Sequence, residues 1–135
     1  MTEIRLEQVS YAYGQERILE DINLQVTSGE VVSILGPSGV GKTTLFNLIA
    51  GILEVQSGRI VLDGEENPQG RVSYMLQKDL LLEHKTVLGN IILPLLIQKV
   101  DKAEAVARAD DILATFQLTA VRLSLIHISE PTRPY

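Results

Sequence analysis

The residues with the clearest chemical potential lie in one short stretch, GPSGVGKTT, at positions 36–44. Its spacing, Gly-x-x-x-x-Gly-Lys-Thr, is that of a phosphate-binding loop. The glycines let the backbone curl so that several N–H groups point at one phosphate group, and a following helix adds the positive end of its dipole. We predict that Lys42 contacts the β- and γ-phosphates and that the Thr43 hydroxyl is a ligand of Mg²⁺. The loop therefore predicts a site for a nucleoside triphosphate.

The elements that must position this loop follow from hydrophobic patterning. VVSIL, at 31–35, is a nearly continuous apolar run, which is typical of a parallel strand buried on both faces. A helix is predicted over residues 42–52. A buried strand before the loop and a helix after it are the context that the motif requires. The alternative, a chance glycine turn ahead of a helix, is disfavoured by this context.

Shorter patterns predict the remaining elements. IRLEQV and INLQV alternate apolar and polar residues, as half-buried strands do, and SGRIVLDG and RVSYML are predicted to be two further strands. TVLGNIILPLLI predicts a helix that is broken near Pro94. Asp101 with Glu104 forms an acidic variant of the capping box. It would open a helix with the apolar face Val106, Ala109, Leu113 and Phe116.

Composition narrows the class of protein. The 135 residues suit one domain, and the net charge of −5 argues against a nucleic-acid partner. The absence of cysteine excludes disulfides and cysteine-based metal sites. The longest apolar run, at 91–97, is too short to span a bilayer, and we do not expect the charged N-terminal segment to be a signal peptide. We therefore expect any membrane association to go through a partner.

The order of these motifs resembles the N-terminal half of an ABC-transporter ATP-binding subunit, from about residue 3 to residue 122. Within that family the chain is most similar to bacterial importers of the nitrate, sulfonate, taurine and bicarbonate type. The resemblance implies an α/β P-loop NTPase fold of the ABC ATPase type, with an antiparallel β subdomain and with ATP and Mg²⁺ as ligands. It also implies a second ATP-binding subunit, transmembrane permease subunits, and a solute-binding protein as an indirect partner. The implied location is cytoplasmic, peripheral on the inner face of the cell membrane.

The resemblance assigns roles to individual residues. Tyr13 matches the aromatic residue that stacks on adenine, although Tyr11 is an alternative on the same strand face. Thr44 matches a residue that contacts the α-phosphate, and Gln77 matches a glutamine that ligates Mg²⁺ or holds the attacking water. The segment from Gln77 through leucines 80–82 and the helix at 86–97 would form the groove that docks the permease, unless those leucines are core. The nucleotide site would then comprise Tyr13, Gly36, Pro37, Ser38, Gly39, Val40, Gly41, Lys42, Thr43 and Thr44.

Four elements of the family do not occur in the sequence: the LSGGQ-type signature, an apolar strand ending in Asp-Glu, the D-loop and the switch histidine. Asp63 matches a segment that the family places in antiparallel strands. Asp110 and Asp111 fall on a predicted helix, and Leu123-Ser124 is followed by apolar residues where a signature needs glycines. We therefore expect a chain that binds ATP without hydrolysing it.

Residues 123–135, LSLIHISEPTRPY, resemble the translation of sequencing-adapter DNA; a disordered natural C-terminus is the alternative. This predicts a native part at 1–122, truncated within the helical subdomain, and a non-native tail at 123–135. Two other functions stay open: a complete small P-loop kinase, with Asp63 as its Mg²⁺ ligand, and a non-catalytic nucleotide-binding module. His84 and His127 are predicted to be solvated or packed.

Overall fold

The computed structural model describes residues 2–66, 70–78 and 80–126. The chain forms two compact units, Met1–Met75 and Leu76–Tyr135. The first unit contains β1 (Glu3–Tyr13), β2 (Glu16–Thr27), α1 (Lys42–Ile49), β3 (Ser57–Leu62) and β4 (Glu65–Glu66). The second contains α2 (Val87–Ile97), α3 (Lys102–Thr115) and a 3₁₀ turn (Thr119–Val121). His127 and most of the predicted tail lie outside the described residues.

The first unit is built on an antiparallel sheet with strand order β2-β1-β3-β4. β1 and β2 form a hairpin that turns at Gly14, which has φ 60°, and Tyr13 pairs with Glu16 at its end. The alternating patterns predicted both strands, as well as β3, and the structure confirms them. Both hairpin strands are longer than their patterns, because pairing continues to the turn through Tyr11, Ala12 and Tyr13 of β1.

α1 packs on this sheet through its apolar face. Leu45 and Leu48 join a buried cluster with four residues of the sheet: Leu6, Val9, Leu19 and Ile60. The helix begins at Lys42, as predicted, and ends at Ile49 because Gly51 adopts a left-handed conformation with φ 73°. Packing of α1 on β1 and β2 places the helix N-terminus beside the hairpin.

The prediction of a buried strand at 31–35 is wrong for this structure. The segment has no strand pairing among the described residues, and Val31 and Leu35 are 95% and 91% exposed. Only Ile34 packs against the core. An apolar run becomes a buried parallel strand only when neighbouring strands supply ladder partners and cover both faces, and the described strands pair with one another instead. The strand predicted for RVSYML at 71–76 is wrong for the same reason, and Met75 is exposed.

The second unit is a pair of helices around a small cluster formed by Ile92, Ala105 and Ala109. α2 runs through Pro94 without a break, contrary to prediction. A proline inside a helix costs about 3 kcal/mol, and packing on both sides of it by Ile92 and Leu95 offsets that cost. The start of α2 is fixed from outside, because Val87 donates its backbone N–H to the Ser124 carbonyl at 2.9 Å.

α3 begins at the predicted cap, where the Asp101 carboxylate accepts a hydrogen bond from the Ala103 N–H at 3.0 Å. Glu104 pairs with Arg108 one turn on, so the second bond of a capping box is not made. The buried face contains Ala105, Ala109 and Leu113. Phe116 was predicted on this face and is instead 69% exposed, because the helix ends at Thr115 and Phe116 lies at its C-cap.

Candidate nucleotide-binding site

The phosphate loop leads directly into α1. Gly39 and Gly41 have φ angles of 82° and 102°, a left-handed conformation that glycine adopts without steric cost. Gly41 is the N-cap of α1, and no side chain caps the helix. The first backbone N–H groups of a helix have no partner within it, so the loop and first turn offer donors to an anion, reinforced by the helix dipole.

Gly41 also fixes the loop against the β-hairpin. A Cβ atom at this position would lie 2.8 Å from Ile18 Cγ2 and 3.2 Å from the Ile18 carbonyl oxygen. No other residue fits between the loop and β2 at this distance. Because Ile18 lies two residues from Glu16, the strand partner of Tyr13, this contact brings the loop to the end of the hairpin that carries Tyr13.

Lys42 reaches back across the loop from the first turn of α1. Its ammonium group donates hydrogen bonds to the carbonyl oxygens of Gly36 at 2.5 Å and Pro37 at 2.6 Å. The positive charge therefore lies at the loop itself. A phosphate oxygen is a stronger partner for an ammonium group than a neutral carbonyl, so a bound phosphate chain can displace these two contacts.

The two threonines that follow lie in different environments. Thr43 is exposed, so its hydroxyl is accessible to a metal ion. Thr44 is only 8% exposed, on the face of α1 that packs against the sheet. Within the described residues, no group of three or more His, Asp or Glu side chains could hold a metal ion. The donor set fits an Mg²⁺ ion that is bound mainly by phosphate oxygens and one hydroxyl.

The two tyrosines of β1 contact each other edge to face, with ring centroids 5.1 Å apart and planes at 77°. Tyr11 packs against the buried cluster of the first unit. Tyr13 is 50% exposed. Tyr13 therefore keeps an accessible ring surface on which a base can stack, whereas Tyr11 supports it from the core side.

Gln56 joins the same end of the hairpin and was not among the predicted site residues. Its side-chain amide accepts a hydrogen bond from the Ala12 N–H at 2.9 Å and donates one to the Ala12 carbonyl at 3.0 Å. No sequence pattern identifies this pair, because the two residues are 44 positions apart. A glutamine before a Ser-Gly turn has no characteristic spacing to search for.

The turn ahead of residues 31–35 contains a carboxyl group with a shifted pKa. Glu30 accepts a hydrogen bond from the Thr27 N–H at 2.7 Å. This bond to the backbone favours the ionised form and holds the pKa of Glu30 below its ordinary value.

Gln77 is an exposed residue of the second unit, in the irregular segment that precedes α2. Leu80 and Leu81 in the same segment are exposed, and Leu82 is half-buried. The Leu82 backbone is held by the Asn90 side-chain amide, through bonds of 2.7 and 3.1 Å. Two leucines of the predicted docking segment are thus available to a partner. His84 is exposed, as predicted.

Two of the three acidic residues considered as catalytic stand-ins, Asp63 and Asp110, have structural partners. Asp63 accepts a hydrogen bond from the Glu3 N–H at 2.8 Å and pairs with Arg71 at 3.2 Å. Asp110 lies on α3, as predicted, and both its oxygens are bound by Arg122, at 2.5 and 3.0 Å. Both carboxylates are therefore engaged in ion pairs in this structure, which disfavours Asp63 as the Mg²⁺ ligand of a small P-loop kinase.

Comparison with known proteins agrees with this geometry. Residues 19–130 match the ABC transporter family. The chain is 39% identical over 120 residues to the spermidine/putrescine import ATP-binding protein PotA of Aggregatibacter actinomycetemcomitans. This alignment covers 85% of the chain and 32% of that protein. It is 36% identical over 123 residues to the sulfate/thiosulfate import ATP-binding protein CysA of Thermosynechococcus vestitus, covering 87% of the chain and 37% of that protein. The chain thus spans about a third of the length of these relatives.

Solved structures give the same result. The ATP-binding cassette MJ1267 of an ABC transporter superposes with a TM-score of 0.77 at 26% identity, over 93% of this chain and 58% of that one. The cassette MJ0796, in a dimeric post-hydrolysis state bound to ADP and Pi, gives a TM-score of 0.72 at 26% identity, over 92% and 62% of the two chains.

The loop has the sequence spacing of a P-loop, and its left-handed glycines lead directly into α1. The chain belongs to the ABC transporter family, and its relatives include import ATP-binding proteins. The predicted fold class, the P-loop NTPase fold of the ABC ATPase type, is confirmed. None of the described helices is long and apolar enough to cross a membrane.

Proposed function

We propose that the chain binds Mg·ATP at residues 36–44 and is part of the ATP-binding subunit of an ABC importer. The observation that carries the proposal is the loop geometry. Left-handed Gly39 and Gly41 open an uncapped helix, and the Lys42 ammonium group lies at the loop. These groups together supply the backbone donors, helix dipole and side-chain cation that a triphosphate needs.

Each residue of the site has a role in this proposal. Lys42 binds the β- and γ-phosphates, Thr44 contacts the α-phosphate, and Tyr13 stacks on adenine. Thr43 would be a ligand of Mg²⁺; Gln77, by the family resemblance alone, would be a second ligand or hold the attacking water in the complete subunit. The ion itself supplies charge neutralisation between the β- and γ-phosphates. The exposure of Thr43 and the half-exposed ring of Tyr13 support the roles of these two residues. The role of Thr44, which is 8% exposed, rests on the family resemblance.

The importer role implies partners on both sides of the subunit. We propose that a second ATP-binding subunit faces the loop and that transmembrane permease subunits contact the segment from Gln77 through α2, with a solute-binding protein as an indirect partner. This would place the protein on the cytoplasmic face of the membrane. The dimeric state of MJ0796 and the origin of a further structural relative, cbiO1, from the transporter complex cbiONQ support an assembly of this kind.

The transported solute is proposed to be a small anion of the nitrate, sulfonate, taurine or bicarbonate type. The CysA relatives support an oxyanion, whereas the PotA relatives are named for polyamines. Reconstituting the subunit with its own permease and binding protein would decide between them. We expect uptake of an anion, and uptake of spermidine alone would overturn the assignment.

Nucleotide binding is tested by titrating the 135-residue chain with Mg·ATP. We expect Lys42→Ala to weaken binding by about 1.5–3 kcal/mol, the value of a hydrogen bond to a charged group. Lys102→Ala, which removes an exposed lysine at the start of α3, is the matched control and should leave binding unchanged. Equal affinity of the parent chain and Lys42→Ala would contradict the proposal.

We further propose that residues 1–122 are a native N-terminal part, that 123–135 are a non-native tail, and that the chain does not hydrolyse ATP. Hydrolysis needs a carboxylate that orients water and a signature that meets the γ-phosphate of a second subunit; the sequence offers no match for either, and Asp63 and Asp110 are paired. Phosphate release should not exceed that of a heat-killed control. A rate that Lys42→Ala abolishes would contradict this, and the genomic DNA after codon 122 tests the boundary.

A further inference from the structure

The end of β1 that carries Tyr13 extends beyond its partner strand. β3 begins at Ser57, which pairs with Ser10, whereas β1 continues to Tyr13. Backbone groups along a strand point alternately to its two sides. Ala12, two residues beyond Ser10, therefore directs its N–H and carbonyl groups to the side where β3 has ended. Unsupported, the last residues of β1 would pair with β2 alone.

The Gln56 side chain supplies the missing partner. Its amide oxygen accepts from the Ala12 N–H and its amide nitrogen donates to the Ala12 carbonyl, at 2.9 and 3.0 Å. A carboxamide has the same donor and acceptor as a peptide group. The side chain thus acts as one more residue of β3 and extends the ladder to the residue adjacent to Tyr13.

The backbone of Gln56 is anchored on the same core as the phosphate helix. Leu53 and Val55, which precede it, pack against the cluster that contains Leu45 and Leu48 of α1. The two hydrogen bonds of Gln56 therefore connect the segment after the phosphate helix to the tip of the hairpin.

We propose that Gln56 is a positioning residue that fixes the ring of Tyr13 relative to the phosphate loop, so that base and phosphates of one nucleotide are bound together. This inference rests on the proposed nucleotide site and on the stacking role of Tyr13. Gln56 acts through Ala12 and does not contact the nucleotide. A two-stranded end opens readily when its outer hydrogen bonds are lost, and a displaced ring no longer meets a base whose phosphates are held elsewhere.

The experiment compares two ligands, Mg·ATP and inorganic Mg·tripolyphosphate, because only the first has a base. We expect Gln56→Ala to weaken Mg·ATP binding by about 3- to 10-fold, the range expected for about one net neutral hydrogen bond, with tripolyphosphate affinity unchanged. Tyr13→Ala should show the same selective loss, and the double variant should lose little more than Tyr13→Ala alone. Gln25→Ala, an exposed glutamine on β2 of the same sheet, is the control and should change neither affinity.

Gln56→Glu gives an independent measurement if the alanine variant does not fold. It keeps the side-chain size and the acceptor but loses the donor to the Ala12 carbonyl. It should therefore also weaken Mg·ATP binding and leave tripolyphosphate affinity unchanged. Equal weakening of both ligands, or additive losses in the double variant, would overturn the positioning role. A selective loss in Tyr13→Ala without one in either Gln56 variant would overturn it while leaving the nucleotide site intact. Failure of the parent chain to bind either ligand would overturn the nucleotide site and the inference with it.

Discussion

Replacing Gly41 with alanine tests the contact that joins the phosphate loop to the β-hairpin. The substitution adds one Cβ atom at a residue with φ 102°, 2.8 Å from Ile18 Cγ2 and 3.0 Å from Leu19 Cδ2. Gly39 provides a matched control, because it has a similar φ of 82° and no atom within 4 Å of the corresponding Cβ position. Gly39→Ala therefore reports the conformational cost alone, and Gly41→Ala reports that cost plus the clash.

The expected magnitudes follow from these two contributions. A left-handed conformation costs a non-glycine residue about 1–2 kcal/mol, and forcing an extra methyl group into a packed site costs about 1–3 kcal/mol. We expect Gly39→Ala to lower the free energy of unfolding by about 1–2 kcal/mol and Gly41→Ala by about 2–5 kcal/mol. The smaller entropy of an unfolded chain with alanine offsets each of these losses by about 0.4–1 kcal/mol, and it cancels from the difference between the two variants.

Urea unfolding followed by circular dichroism measures both variants. A third variant, Gly41→Ala combined with Ile18→Ala, removes the closest clashing atom and should recover part of the loss, which gives a favourable coupling energy of at least about 0.5 kcal/mol. Equal losses for Gly39→Ala and Gly41→Ala, or strict additivity in the combined variant, would refute the close packing of the loop on β2.

Three further predictions concern groups outside the loop. Asp110→Asn and Arg122→Ala should each destabilise the second unit, with a coupling energy of about 1 kcal/mol in a double-mutant cycle. Neither variant should alter Mg·ATP affinity, and a reduced affinity in titrations would show that Asp110 belongs to the site. Replacing both Val31 and Leu35 with lysine should reduce concentration-dependent association in sedimentation experiments without changing helix content, because both side chains are almost fully exposed. Unchanged association would show that a different surface of the protein is responsible for it. The folded-state pKa of Glu30 is lowered, so the ionised carboxylate stabilises the fold above the ordinary carboxyl pKa, and this effect is lost as pH falls through the lowered value. Glu30→Gln should therefore reduce the decrease in the free energy of unfolding at acidic pH. An unchanged decrease would contradict the bond to Thr27.

Local patterns were sufficient to predict the loop, its helix and the hairpin. The motif encodes the loop directly at Gly41 and Lys42, because the left-handed conformation of Gly41 needs glycine and the cation must follow it. Alternation predicted β1 and β2 because each has one face on the core. The roles of Tyr13, Thr44 and Gln77 came from family resemblance, and they stay predictions.

Features that depend on distant contacts could not be predicted in the same way. Gln56 meets Ala12 across 44 positions, and Phe116 is exposed although it continues the apolar spacing of α3. Helical periodicity predicts the face of the helix on which a residue lies. It does not predict where the surface that packs against that face ends. Pro94 shows the converse case, since tertiary packing keeps α2 continuous against local propensity.

The segment at 31–35 concerns two features that the motif usually combines, a buried strand before the loop and the loop itself; here the loop forms without the strand. Its apolar run has the composition of a buried parallel strand, yet it makes no strand pairing in the part of the chain that the structure describes. The cradle nevertheless has its left-handed glycines, its uncapped helix and its lysine at the loop. Two contacts hold these features in place. The helix α1, which follows the loop, packs on the sheet, and Gly41 packs closely against Ile18 of the hairpin. The geometry of the loop is therefore encoded locally and by the hairpin, whereas the strand before it needs neighbouring strands to form.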